Sequence, residues 1–146
     1  MKNGSKWIAS AALATLLALY VVGAFSHGVL RHTVQTLPLW ISIVLGFRGR
    51  ELAKWAALPC MAIWLLTMSI IWLFLLGWAR LLSGHFTPLE VAMTLVVGAS
   101  CLSGIVQAIR WKTSVRPWVA WFTALLCGIF QLLAMRISFI PFVATH

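Results

Sequence analysis

The stretch that decides the fold is Val29–Phe47, VLRHTVQTLPLWISIVLGF. A helix over these 19 residues rises about 28 Å, close to the roughly 30 Å thickness of the hydrocarbon core of a bilayer. Arg31 lies near its start, where a long side chain can reach lipid headgroups, and Pro38 predicts a kink. If this stretch crosses a membrane the chain has five spans, and if it is a re-entrant or surface segment the chain has four.

The rest of the chain is strongly apolar. Of its 146 residues, 62% are hydrophobic and 9% are charged, with a net charge of +9 and a mean hydropathy of +1.00. A soluble domain has about 45–50% apolar residues on a comparable count, and disorder requires low hydrophobicity. We therefore expect most of the chain to lie in lipid, as one transmembrane domain over residues 1–146.

Helices are the expected secondary structure, because a helix satisfies every backbone amide within its own segment. The polar–apolar alternation of a transmembrane strand does not occur over any stretch of about ten residues. The sequence therefore predicts an all-α integral membrane bundle of five transmembrane helices, the second short and proline-kinked. The predicted spans are residues 7–25, 29–47, 56–79, 90–109 and 117–136. Lys2 and Lys6 before the first span also suit a signal peptide, but its apolar stretch is long, so we expect an uncleaved span.

The basic residues predict the orientation, because cytoplasmic loops are enriched in Lys and Arg. Five spans with the N-terminus inside place eight basic residues inside and three outside, whereas four spans give seven against four at best. We therefore expect a multi-pass protein of a bacterial-type cytoplasmic (inner) membrane, with the N-terminus inside and the C-terminus outside. The inner loops are expected to contact anionic lipids, and no basic face large enough for nucleic acid is expected.

The most polar stretch near a span is residues 30–36, at the predicted outer side. On a helix Arg31 and Gln35 share a face, with His32 beside them, and the neighbouring outer loop carries His85. These four residues predict a patch that binds a headgroup or a small anion, with Arg31 supplying a permanent charge. The alternative is a helix end that is only wetted by lipid phosphates.

Two further patterns concern local structure and packing. Thr87, Pro88 and Glu90 have the spacing of a capping box, which gives Glu90 a structural role. Small residues four apart let helices approach closely, and they predict a tight hairpin of the fourth and fifth spans. The predicted packing residues are Ser100, Gly104, Ala120, Ala124, Gly128 and Gln131. Depth along the helices predicts that Gln131 bonds to Thr94 or to a backbone carbonyl at that height, and does not reach Gln107.

Several classes of function lack residues to support them. The chain has two acidic residues, no paired carboxylates and none of the common hydrolase, metalloprotease or nucleotide-binding motifs, so we expect no enzyme. The spacing of the cysteines and histidines predicts no metal and no cofactor. Ion-coupled carriers usually place an ionisable group in the middle of a span, and this chain has none there.

The sequence thus favours a non-enzymatic membrane protein that acts through helix packing, with itself as a homo-oligomer or with a membrane-protein partner. The alternative is a carrier or binding protein for a small or lipid-like molecule, which uses the outward-facing polar patch. A polar-lined cavity that reaches the middle of the membrane would favour the alternative.

Overall fold

In the computed structural model, which describes residues 3–78 and 86–140, the chain forms a bundle of helices. The helices of these two ranges are α1 (Asn3–Phe25), α2 (Val29–Phe47), α3 (Leu52–Leu75), α4 (Pro88–Arg110) and α5 (Pro117–Ser138). Four of them, α1, α3, α4 and α5, are long and apolar enough to cross a membrane, and α2 is not among these four. The all-helical fold and its suitability for a membrane agree with the expectation from the sequence.

The helix boundaries follow from local chemistry. α2 has the predicted bounds and continues through Pro38 as one helix. It is followed by Gly49 with φ of 69°, and Arg50 N–H donates to the Leu45 carbonyl at 2.9 Å. This left-handed residue ends the helix, as glycine does in many helices. α3 ends the same way before Gly77, φ 76°, and therefore stops four residues earlier than predicted.

Helix α3 is central, because it contacts each of the other four helices. α4 packs against α1 and α3, whereas α5 packs against α2 and α3. Both α4 and α5 lie within the described residues, and they have no contact with each other. The predicted hairpin of the fourth and fifth spans is therefore wrong, since α3 lies between them.

The small residues of that predicted hairpin pack on other helices. A Cβ atom at Gly104 would lie 2.4 Å from Met61 Sδ of α3 and 3.2 Å from Ala11 Cβ of α1. A Cβ atom at Gly128 would lie 3.3 Å from Pro59 Cβ of α3. The other small residues of the two stripes are buried or half-buried: Ser100, Ala120 and Ala124. Their spacing indicated that helices come close, but it did not identify which helices do so.

The closest backbone approach joins α1 and α2. A Cβ atom at Gly46 would lie 2.7 Å from both the Ser5 carbonyl oxygen and Ala9 Cβ. At the opposite end of the same pair, a Cβ atom at Gly23 would lie 2.9 Å from His32 Cδ2. α2 therefore runs antiparallel to α1 along most of the bundle.

The bundle has two chemically different ends. At what we call the Lys54 end, the loop before α3 and the loop before α5 are joined. Lys54 Nζ donates to the Trp111 carbonyl at 2.7 Å, and Glu51 Oε2 accepts from Ser114 N and Oγ at 2.7 and 2.8 Å. The described basic residues at or near this end are Lys6, Arg48, Arg50, Lys54, Arg110, Lys112 and Arg116. At the opposite end, the Arg31 end, they are Arg31 and Arg136.

Candidate ligand-binding cavity

A cavity of about 490 Å³, the Arg31 cavity, lies within the bundle at the Arg31 end. All five helices contribute side chains to its wall. The polar lining residues are Ser26, Arg31, His32, Gln35, Thr67, Glu90 and Thr94. The apolar lining residues are Leu19, Val22, Trp64, Met68, Ile70, Ile71, Phe86, Met93, Val97, Met135 and Phe139.

The cavity extends from the Arg31 end to the middle of the bundle. Trp64 lies 11 residues before the end of α3 at Leu75, a rise of about 16 Å. Val97 lies nine residues past the start of α4 at Pro88, a rise of about 14 Å. Half of a bilayer's hydrocarbon core is about 15 Å, so a cavity of this depth would reach the midplane. Its charged residues lie near the Arg31 end, and its deep wall is mainly apolar.

Three of the four residues predicted as a polar patch line this cavity together. Arg31, His32 and Gln35 occupy the first two turns of α2, and all three side chains contribute to the wall. His85, the fourth, lies outside the described residues. The next residue along the chain, Phe86, does line the cavity.

The side chains on α2 have incomplete hydrogen bonding. The Arg31 guanidinium carbon lies 4.7 Å from the ring centroid of Phe139, a cation–π contact, while Arg31 Nε has no hydrogen-bond partner. His32 Nδ1 is also buried without a partner. Gln35 is 4% exposed, and its Nε2 donates to Ser138 Oγ at 2.8 Å, but its Oε1 accepts no hydrogen bond.

Unpartnered polar atoms are concentrated around the cavity. Of the eight buried side-chain nitrogen and oxygen atoms that lack a partner in the described residues, four belong to cavity-lining side chains. These four are Arg31 Nε, His32 Nδ1, Gln35 Oε1 and Trp64 Nε1. Leaving a buried donor or acceptor unsatisfied costs about 1–3 kcal/mol. These four atoms have almost no accessible surface, so a bound molecule would satisfy them only once the side chains turn toward the cavity.

Glu90 contributes to both the start of α4 and the cavity wall. Thr87 Oγ1 accepts from Glu90 N at 3.3 Å, and Thr87 N donates to Glu90 Oε2 at 2.7 Å. This is the capping box that the sequence predicted, and the structure confirms it. The sequence motif indicated only the capping role of Glu90, and the structure adds its position beside the cavity.

Gln131 ties α5 to α2 beside the cavity. It is fully buried, and its Nε2 donates to the Gln35 carbonyl at 2.9 Å. The expectation of a backbone carbonyl as partner, with no bond to Gln107, is confirmed, and the carbonyl belongs to α2. Thr94, the other expected partner, instead accepts a hydrogen bond from Trp72 Nε1 at 3.0 Å.

The sequence reasoning missed Trp64 as a cavity residue. Trp64 is only 3% exposed. Its unpartnered Nε1 distinguishes it from a purely packing side chain, because a buried indole N–H usually finds a partner. Nothing in the sequence around Trp64 indicates this.

A second, wholly different concavity lies between α3 and α5. It has a volume of about 340 Å³ and an almost entirely apolar wall. The lining residues are Pro59, Ile63, Trp121, Ala124, Leu125, Gly128, Ile129 and Leu132. We call it the α3–α5 groove.

Comparison of the chain with protein-family models, with curated proteins and with solved structures gives no match. The chemistry of the Arg31 cavity therefore indicates what the protein can bind. Among the described residues, its wall combines one permanent cation, one carboxylate and several hydrogen-bonding groups with a deep apolar surface. Such a wall can hold a molecule that has a polar group at one end and an apolar remainder.

Proposed function

We propose that the protein is a multi-spanning membrane protein that binds a small or lipid-like amphipathic molecule in the Arg31 cavity. The observation that carries this proposal is the depth and polarity of the cavity, which is polar near the Arg31 end and apolar at the middle of the bundle. Arg31, His32 and Gln35 would bind the polar group, and Trp64 and Met68 would contact the apolar part. Binding of this kind requires no catalysis.

The volume of the cavity limits the size of the ligand. Small-molecule pockets are about 300–1,000 Å³, and the Arg31 cavity, at about 490 Å³, falls within that range. At about 30 Å³ for each water-sized unit, this volume holds roughly 16 such units. A single-chain molecule with about that many non-hydrogen atoms fits inside this volume.

Filling the cavity tests the proposal. Met93 is half-buried on α4 and lines the cavity, so Met93→Trp should occupy the binding volume. Leu95→Trp is the matched control, because Leu95 is exposed on the outer face of the same helix. With the protein in phosphatidylcholine nanodiscs and dodecanoic acid as probe, we expect Met93→Trp to weaken binding at least about tenfold and Leu95→Trp to leave it unchanged. Equal binding by both variants would contradict the proposal.

We also propose that all five helices span, with the N-terminus inside a bacterial-type cytoplasmic membrane and the C-terminus outside. The antiparallel packing of α2 along α1 supports a fifth span, and the basic residues at the Lys54 end support the orientation. Those basic residues would contact anionic lipids of the inner leaflet.

Cysteine labelling in a cysteine-free background tests this topology. Arg50→Cys and Lys112→Cys should react with an impermeant maleimide from the inside. His85→Cys and His146→Cys should react from the outside. Labelling of the positions at 50 and 85 from the same side would contradict the five-span topology.

The α3–α5 groove supports a second candidate function, packing against another helix, either of a second copy or of a membrane-protein partner. Ala124 and Gly128, four residues apart, lie in a groove with bulky apolar side chains around them, as in helix-packing motifs of membranes. Replacing Gly128 by Leu should abolish such an association, which is measurable as the number of subunits per nanodisc by photobleaching. A monomer in both the wild type and Gly128→Leu would exclude self-association.

A further inference from the structure

We infer that the ligand of the Arg31 cavity is zwitterionic, with an acidic group that binds Arg31 and an ammonium group that binds Glu90. This inference rests on the proposed binding function and names the chemical class of the ligand. The supporting observation is that Arg31 and Glu90, which have opposite charges, line the same cavity from two different helices.

The cationic wall belongs to α2. Arg31 is held against the Phe139 ring at 4.7 Å and makes no ion pair with any carboxylate of the described residues. His32 Nδ1 and Gln35 Oε1, both unpartnered, lie on the same helix within one turn of Arg31. A carboxylate or phosphate would bind the guanidinium directly, and an oxygen-bound proton or an ammonium hydrogen would satisfy Gln35 Oε1.

The anionic wall belongs to α4. Every hydrogen bond that Glu90 accepts goes to its Oε2 atom, from Thr87 N and Thr87 Oγ1. The second carboxylate oxygen, Oε1, accepts none from the residues that the structure describes. The capping box therefore fixes the orientation of the Glu90 carboxylate and leaves one oxygen available to a ligand.

The two walls are separate. α2 and α4 have no contact with each other within the described residues, and the cavity lies between them. Arg31 and Glu90 form no ion pair across it, since no nitrogen–oxygen distance between them is within 4.0 Å. A purely anionic ligand would meet repulsion from Glu90, and a purely cationic ligand would meet repulsion from Arg31. A ligand with both charges gains from each wall and is selected over molecules with one charge.

Three probes with the same chain length separate these cases: 2-aminododecanoic acid, which is zwitterionic, dodecanoic acid, which is anionic, and dodecylamine, which is cationic. Equilibrium binding is measured to the full chain in phosphatidylcholine nanodiscs, with empty nanodiscs subtracted. For the wild type we expect the zwitterion to bind about tenfold more tightly than dodecanoic acid, as one additional charge-assisted hydrogen bond implies.

The key variant is Glu90→Gln, which removes the charge but keeps the capping box, because glutamine also serves at the third helical position. We expect it to reduce binding of the zwitterion about tenfold, to the level of dodecanoic acid, without weakening dodecanoic acid itself. Arg31→Gln should weaken both acids. Glu51→Gln and Arg136→Gln are the matched controls, since they remove the other acidic residue and the other described cation at the Arg31 end, and neither lines the cavity.

The outcomes distinguish the two levels of the argument. If the two acids bind the wild type equally, or if Glu90→Gln weakens both acids by the same factor, the zwitterion inference is overturned and the proposed function stands. If none of the three probes binds the wild type above empty nanodiscs, the proposed function and this inference both fall.

Discussion

The two ends of the bundle differ in how closely their helices pack. At the Lys54 end, Lys54 and Glu51 bind the loop before α5, and Gly46 allows α2 to lie directly on the backbone of α1. At the Arg31 end the helices surround a cavity, and Arg31 and Gln35 keep unpartnered atoms in its wall. Close packing thus holds one end together, whereas the other end is built around space for a molecule.

Residues that stabilise the fold and residues that would bind a ligand therefore lie in different parts of the bundle. Binding sites often retain groups that are poorly satisfied in the free protein, because those groups are needed by the ligand. Substitutions at the Lys54 end should therefore change the free energy of unfolding, and substitutions in the cavity wall should change binding. The predictions below test that contrast.

The largest effect on stability is expected for Gly46→Ala. The added Cβ would lie 2.7 Å from a backbone oxygen, at Ser5, which can move only if α1 and α2 separate. Overpacking of this kind costs about 1–3 kcal/mol, measurable by equilibrium unfolding in mixed detergent micelles. Gly104→Ala is the control, because the atoms it would meet first belong to the flexible side chain of Met61. A larger loss for Gly104→Ala than for Gly46→Ala would contradict the expectation that the backbone contact at Gly46 is the less adaptable of the two.

A smaller effect is expected at the start of α4. Thr87→Ala removes the side-chain acceptor for Glu90 N and should cost about 1 kcal/mol in the free energy of unfolding. Thr87→Ser keeps the hydroxyl and should retain most of the stability. Loss of stability in both variants to the same extent would show that the methyl group, and not the cap, is responsible.

Gln131→Leu should cost still less. It removes the hydrogen bond from Gln131 Nε2 to the Gln35 carbonyl, and such bonds between membrane helices average about 0.6 kcal/mol. It also removes the unpartnered Gln131 Oε1, so the net loss should be no larger than that average. Gln107→Leu, a half-buried position on α4, is the matched control, and we expect no measurable change there. The same unfolding titration compares the two, and an equal loss in both would contradict the importance of the Gln131 bond.

Gln35→Leu should have the smallest effect on stability and a large effect on binding. It removes the bond to Ser138 but also removes the unpartnered Oε1, so the two contributions offset and the net change should be below about 0.5 kcal/mol. Binding of 2-aminododecanoic acid in nanodiscs should fall several-fold, because its ammonium group can donate to Gln35 Oε1, whereas dodecanoate has no hydrogen to donate and should be little affected. A loss of stability comparable with that of Gly46→Ala would place Gln35 among the residues that hold the bundle together.

The sequence predicted where the helices begin and end better than it predicted which helices pack against each other. The bounds of α2 follow from its apolar run and from Gly49, and the start of α4 follows from the capping box, because these are local signals. Which helices pack against α4 depends on the shapes of the faces of several helices at once. A stripe of small residues, such as the one that includes Gly104, shows that another helix comes close but does not identify that helix. The small residues on α4 and α5 predicted a hairpin of these two helices, but both pack on α3 instead.

The candidate site was predicted in part, for a similar reason. Arg31, His32 and Gln35 are clustered on one helical turn, so their common environment could be inferred from spacing. Glu90 and Trp64 reach the same cavity from two other helices, and only the folded arrangement brings them there. Whether these residues bind a ligand stays a prediction for the experiments above.

The central position of α3 has a consequence for how the protein is made. Since α4 and α5 lie on opposite sides of α3, the chain must cross the end of α3 between them, and the residues from Trp111 to Ser114 are fastened there by Lys54 and Glu51. When α4 leaves the ribosome, α1 and α3, the two helices that it packs against, are already complete. The loop held by Lys54 and Glu51 then places α5 against a surface that α4 does not use. The last two helices can therefore pack onto the bundle independently of each other.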